Sequence, residues 1–170
     1  MHIRALAPQD APAFQALRLR GLKESPEAFA SSYEEEVNTP IEEIERRLQL
    51  KTDSAIFGAF QGTELCALVG LQRERMAKLA HKSFIWGLYV APETQGRGVG
   101  AQVLSHALSH AATVLGTRQV NLGVSTKNSP AIALYKKLGF VEYGLERGCL
   151  FVGGVLQDEY QMVCHVASAA

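Results

Sequence analysis

Residues 83–100 constrain this chain more than any other stretch. Residues 83–90 read as a strand, with Phe84, Trp86, Leu88 and Val90 on one face and Ile85 and Tyr89 on the other, so both faces are expected to be buried. The run Gln95-Gly96-Arg97-Gly98-Val99-Gly100 then leads into a helix over about 100–115, whose apolar stripe is Leu104, Leu108, Ala111 and Leu115. Three alternating glycines let the backbone turn tightly and aim several N–H groups at one point, and the helix start adds the positive end of its dipole. A strand, an anion-ready turn and a helix in that order call for a sheet with helices packed on it. They also offer a site for a phosphorylated ligand.

The rest of the chain supplies the other layers. Residues 2–6 form a short strand. Asp10 stands where a helix cap belongs, before Phe14, Leu17 and Leu22 at helical spacing, with Pro12 tolerated in the first turn. Thr39-Pro40-Ile41-Glu42 has the form of a capping box for a second helix, with Ile41, Ile44 and Leu48 as its stripe. Strands at 55–60 and 65–72 are parted by Gln61-Gly62-Thr63-Glu64, which suits a hairpin. Val120, Leu122 and Val124 make a further strand. Ser129-Pro130 opens a short helix that stops at Leu138-Gly139-Phe140, and strands around 140–146 and 160–165 close the chain. No repeat or linker interrupts this order, which describes one mixed α/β domain over 1–170. A chain of that length buries roughly 69% of its unfolded surface, enough for a core without metal or disulfide.

Seventeen basic and seventeen acidic side chains cancel, which argues against nucleic acid or an anionic membrane as partner. Locally they do not cancel. Residues 95–141 hold Arg97, Arg118, Lys127, Lys136 and Lys137 and no Asp or Glu, so a surface for a polyanionic small ligand is expected there. The three cysteines, Cys66, Cys149 and Cys164, form no CxxC pair. The N-terminal residues show no secretory pattern, and the longest uncharged stretch, 98–117, is too polar to span a bilayer. A cytoplasmic protein is expected.

The turn itself excludes two classes of anion. GxxxxGK(S/T) is absent. A dinucleotide turn needs GxGxxG with an acid about 20 positions on, where Val120 and Asn121 stand instead. The run Leu88-Tyr89-Val90-Ala91-Pro92-Glu93-Thr94-Gln95-Gly96-Arg97-Gly98-Val99-Gly100 resembles the acyl-CoA signature of the Gcn5-related N-acetyltransferases (the GNAT family), (Q/R)-x-x-G-x-(G/A). The resemblance continues through Asn128-Ser129-Pro130-Ala131 and Ala133-Leu134-Tyr135-Lys136-Lys137-Leu138-Gly139-Phe140.

That resemblance implies a single GNAT-like α/β (mixed α+β) domain with a central, mostly antiparallel, splayed sheet flanked by about four helices. It implies acetyl-CoA as cosubstrate, with no metal. Backbone N–H groups of Gln95, Gly96, Arg97, Gly98, Val99, Gly100 and Ala101 would hold the pyrophosphate. Leu88 and Val90 would lie along the pantetheine arm, beside a sheet that opens where the strand at 120–125 parts from them. Asn128 would hydrogen-bond the arm, and Tyr135 would stand near the thioester sulfur as general acid. The implied reaction is N-acetyl transfer to a primary amine, on a small molecule or a peptide, by direct attack in a ternary complex. A homodimer is among the assemblies implied.

Two proton problems follow. The leaving thiolate (thiol pKa ~8.5) can take a proton from a phenol (pKa ~10). The attacking amine must be neutral, which costs a lysine-like amine about 4 kcal/mol at pH 7.4 but an α-amine under about 1 kcal/mol. Ribosomal-protein N-terminal acetyltransferases of the family carry a glutamate at the position matching Gly123, so that base is missing here. Glu34, Glu35, Glu36, His81, Asp158, Glu159 and ordered water are all candidates, and no spacing selects among them. The departure leaves open a non-catalytic module that binds and senses acyl-CoA, and nucleotide-phosphate binding without acyl transfer.

Weaker signals read as structure. His106 and His110 lie four apart on one helix without a third ligand, so a solvated or part-buried face is expected. The Glu34-Glu35-Glu36 run reads as a solvated helix face or, alternatively, as part of a wall for a cationic acceptor. Trp86 and Tyr89 are expected to pack, and Ser125 lacks the partners of a serine hydrolase.

Overall fold

Backbone pairing in the computed structural model, which describes residues 1–49 and 51–166, gathers seven strands into one sheet. In chain order these are β1 (His2–Ala5), β2 (Ser54–Gln61), β3 (Glu64–Arg73), β4 (Lys82–Val90), β5 (Gln119–Ser125), β6 (Val141–Val152) and β7 (Val155–His165). Across the sheet they run β1-β2-β3-β4-β5-β7-β6, and β4 with β5 is the parallel neighbour pair. The helices are α1 (Ala11–Glu24), α2 (Tyr33–Glu36), α3 (Ile41–Arg47), α4 (Val99–Thr113) and α5 (Ser129–Lys137). The expected domain 1–170 includes Leu50 and residues 167–170, which lie outside the described residues. No described helix is long and apolar enough to cross a membrane.

The mixed α/β architecture and the mostly antiparallel sheet agree with expectation; several boundaries do not. The hairpin at Gly62-Thr63 joins β2 and β3, with Gly62 at φ +62°. The closing strands are far longer than expected, because Gly153 and Gly154, both at positive φ, fold β6 and β7 into a single hairpin. Helix α2 opens with Ser32-x-x-Glu35, a capping box: Ser32 Oγ accepts the Glu35 N–H at 3.3 Å, and the Ser32 N–H donates to Glu35 Oε2 at 2.7 Å. Asp10 makes no cap on α1. Its carboxylate instead accepts two bonds from Arg4 (2.6 and 2.8 Å) and one from the Ala7 N–H (2.8 Å). Thr39 makes no cap either, since Pro40 directly precedes α3 and has no side-chain acceptor.

Helix α4 buries Val99, Val103, Leu104, Ala107 and Ala111, a stripe rotated from the expected one, with Leu108 only half-buried. On the opposite sheet face, α1 buries Phe14, Leu17 and Leu22 as expected. It also buries a charge: Arg18 pairs with Glu36 at 2.9 Å, donates to Ser31 Oγ at 2.7 Å and lies over the Phe29 ring. Glu34 and Glu35 are exposed, as a solvated helix face is, and none of the three acids lines the cavity that an acceptor wall would border. Glu35 closes a cap, and Glu36 neutralises a buried arginine.

Candidate active site

Strand β4 keeps β3 beside it along most of its length, but it pairs with β5 only at Lys82 with Gln119, Ser83 with Val120 and Phe84 with Asn121. Past Phe84 the two strands part, while β5 stays paired with β7 as far as Ser125. The edge of β4 that β5 abandons borders a cavity of about 510 Å³.

A bulge sets what that edge presents. Gly87 and Leu88 together stand opposite Val69 alone, and Gly87 has φ +64°. The extra residue shifts the alternation, so the expected common face of Trp86 and Val90 does not form. Trp86 lies over Gly70 and near Arg18, while Tyr89 packs on Gly21 and donates its hydroxyl to Glu24; both face α1. Val90 faces the other way, 3.4 Å from where a Cβ on Gly100 would sit. Phe84, expected to be buried, is exposed. Trp86 and Tyr89 thus pack as expected, and they also line the cavity.

The glycines of the turn have separate reasons. Gly96 (φ +73°) and Gly98 (φ +76°) hold backbone conformations that other residues rarely adopt, and Gly98 is the N-cap of α4. Gly100 is spatial: a Cβ there would stand 3.2 Å from Leu134 Cδ2. Gln95 Nε2 donates to the Val90 carbonyl at 2.9 Å, tying the turn to the end of β4. Leu88, Val90, Gln95, Gly96, Gly98, Val99, Gly100, Ala101, Asn128 and Tyr135 all line the one cavity; Arg97 is exposed and lies off its lining. Of the five cations in the acid-free window, Lys137 alone lines it, and Lys136 is tied to Glu142 at 2.8 Å. The charge window therefore foretold less than the turn did.

Asn128, not Ser129, caps α5: its Oδ1 accepts the Ala131 N–H at 3.1 Å, which leaves its amide nitrogen as the donor. Tyr135 is 7% exposed, its ring tilted against Phe140 with centroids 5.7 Å apart. Burial pushes its phenol well above the ordinary value, so it stays protonated at neutral pH.

The far wall comes from β5 and β7. Gly123 and Ser125 line it, and so does Glu159, which pairs across from Ser125. A Cβ at position 123 would lie 2.6 Å from Glu159 Oε2. Among the candidate bases, Glu159 is the one on the cavity lining. Asp158 accepts the Gly148 N–H at 2.8 Å and faces Arg147, and exposed His81 lies off the cavity. His106 is exposed and His110 half-buried, as expected of a solvated or part-buried face, and both rings stand edge-on to Phe57 with centroids 5.0 and 5.1 Å away. The sequence alone lacked the register of β5 against β7, which brings residues 36 positions apart in the chain together.

The family model described as the Acetyltransferase (GNAT) family matches residues 22–140. The chain belongs to that family. Among characterised GNAT relatives, a spermidine N(1)-acetyltransferase of Vibrio cholerae is 33% identical over 95 residues, which is 56% of this chain and 55% of that one. The chain thus matches little more than half the length of that relative. In fold, this GNAT chain is similar to the GNAT-family acetyltransferase of Streptococcus pneumoniae (TM-score 0.87, 24% identity, 98% of this chain and 99% of that one). It is likewise similar to YncA of Salmonella typhimurium, solved with its cofactor acetyl-CoA (TM-score 0.80, 18% identity, 100% and 96% covered).

Proposed function

We propose that this GNAT domain transfers the acetyl group of acetyl-CoA to a primary amine, on a small molecule or a peptide, by direct attack in a ternary complex. The observation that carries this reading is the single cavity between the parted strands β4 and β5. The glycine turn, the abandoned edge of β4, Asn128 and Tyr135 all open into it.

These residues fit the cosubstrate piece by piece. Backbone N–H groups of 96–101 at the start of α4 suit a diphosphate, whereas the expected Gln95 N–H is already donated to the Pro92 carbonyl at 3.3 Å. The β4 edge over 85–90, with Leu88 and Val90, suits an extended arm bearing amides, which would add to the sheet as a strand does. The Asn128 amide nitrogen suits one carbonyl of that arm. Acetyl-CoA supplies an activated acetyl thioester. Tyr135 keeps its proton until negative charge develops on the leaving sulfur and then donates it, acting as general acid. Glu159 on the wall, with Glu146 directly across the hairpin from it, favours a cationic amine. A polyamine is one such acceptor, in line with the spermidine enzyme among the relatives.

Acetyl-CoA consumption measured against polyamines, free amino acids, aminoglycosides and peptides tests the reading. Tyr135→Phe is expected to lower kcat by about 10²-fold or more while CoA affinity is kept. A protein that neither binds CoA nor consumes acetyl-CoA with any of these amines overturns it. The rival reading, a module that senses acyl-CoA without catalysis, requires binding with no turnover. It drew its support from the glycine at 123, the place where the Glu159 carboxylate lies.

We also read the protein as a cytoplasmic homodimer. Its three free thiols suit a reducing compartment, and exposed Val141, Tyr143, Leu145 and Phe151 give the β6–β7 hairpin an apolar surface. Light scattering at the mass of one 18.5 kDa chain at every concentration would remove the dimer.

A further inference from the structure

We infer that Glu159 is the general base of the amine acetylation proposed above, reaching from β7 into the place left by the absent side chain at Gly123. The inference rests on that proposed reaction and adds the group that accepts the acceptor's proton.

Three observations support it. First, the Glu159 carboxylate overlaps the volume that a residue-123 side chain would begin to fill, 2.6 Å from the position of a Cβ. Second, Glu159 and Tyr135 line the same cavity from different elements, β7 and α5, so an acceptor entering it lies between a carboxylate and a phenol. Third, the carboxylate is held in place. Cys149 Sγ donates to Glu159 Oε2 at 3.2 Å, which leaves Oε1 for the substrate. Glu146 stands directly across the hairpin from Glu159, a like-charge pairing that weakens a sheet and that a cationic amine between the two would relieve.

The groups around Glu159 are few. From β6 come Cys149 and Glu146, the latter accepting Gln161 Nε2 at 3.0 Å. From β5 come Gly123 and Ser125, neither of which carries charge. Along β7, Asp158 is engaged with Arg147 and Gly148. Glu27 belongs to the short turn Pro26–Ala28, which packs on β5 and β6.

The step balances as follows. An alkylammonium acceptor gives one proton to Glu159 and becomes the free amine, a form that makes up only about one molecule in 1,000 at pH 7.4 in solution. The nitrogen forms its bond to the thioester carbonyl carbon as the carbon–sulfur bond breaks. The thiolate takes the Tyr135 proton, the second nitrogen proton restores the phenol through solvent, and Glu159 releases its proton to water. The products are the N-acetyl amine, CoA thiol and one proton.

Steady-state kinetics with acetyl-CoA, using spermidine and an alanine-terminated peptide as acceptors, test the assignment. Glu159→Gln is expected to lower kcat/KM for the amine about 10²-fold at pH 7.4, with CoA affinity within twofold of wild type. The deficit should shrink toward pH 9.5, where the acceptor sheds its own proton. It should also be larger for spermidine than for the peptide, whose α-amine needs less help. In a Glu159→Gly background, Gly123→Glu should recover at least tenfold. A Glu159→Gln enzyme within threefold of wild type, or one with the same deficit at every pH and on both acceptors, overturns the inference while leaving acetyl transfer intact. Should Glu159→Gln lose CoA binding, the same readings on Glu159→Asp, which keeps the charge one methylene farther back, decide it. Failure of the wild type itself to turn over any amine removes the proposed reaction and the inference with it.

Discussion

Burial, and then the hydrogen bond to Glu159, push the Cys149 thiol up to about 12. At pH 8 its thiolate is scarcer than that of an ordinary cysteine by roughly three orders of magnitude, although the residue is only half-buried. Iodoacetamide should therefore modify Cys149 at least about a hundredfold more slowly than a free thiol, and Glu159→Gln should speed the reaction, as followed by mass spectrometry. Labelling at the free-thiol rate would show that the Cys149–Glu159 pair does not persist in solution. Single residues were read unevenly from the sequence. The places of Tyr135 and the turn glycines on the cavity were legible because the motifs that carry them are local. Glu159 was not, because a β-register decides which of six candidate side chains meets Gly123.

Helices α1 and α2 are joined through a charge pair that reads from sequence as two unrelated surfaces. Desolvation opposes the charged form of Glu36, but the bonds from Arg18 and Ser31 outweigh it and hold the carboxyl below its usual range. A group whose folded value is lowered contributes stability above its unfolded value, near 4.3, and loses that contribution as pH falls through the folded value. Glu36→Leu leaves Arg18 buried without its partner and should cost about 3–5 kcal/mol at pH 7 in urea melts, with the gap from wild type narrowing below about pH 4. An unchanged urea midpoint at pH 7 would mean that Arg18 is hydrated instead. The bulge in β4 depends on one backbone conformation. Gly87→Ala places a Cβ at φ +64° and 3.0 Å from Arg18 Nη1, so a loss of about 1–2 kcal/mol is expected in the same assay. Alternation alone misplaced Tyr89 relative to Trp86, because no simple period encodes a residue that one strand has and its neighbour lacks.

At the scale of the whole molecule, element order and strand–turn–helix punctuation made the fold legible. What stayed hidden were contacts between distant segments: the length of the β6–β7 hairpin, the burial of Arg18, and the convergence of β5 and β7 on one wall. The interrupted seam between β4 and β5 bears on the stability of the entire protein. Three residue pairs join the two halves of the sheet there, and the remaining length of β4 has an open backbone edge. A ligand that docks along that edge binds only the folded chain, so at a concentration 100 times its Kd CoA should stabilise the protein by about 2.7 kcal/mol. That is a rise in Tm of roughly 5–10 °C. Adenosine 3′,5′-diphosphate, which carries phosphates but no pantetheine, should raise it by less than half as much; an equal rise would mean that the arm never joins β4. Under the proposed reaction the thioester is a missing plank as well as a reagent, and a cell poor in CoA would hold a softer protein as well as an idle one.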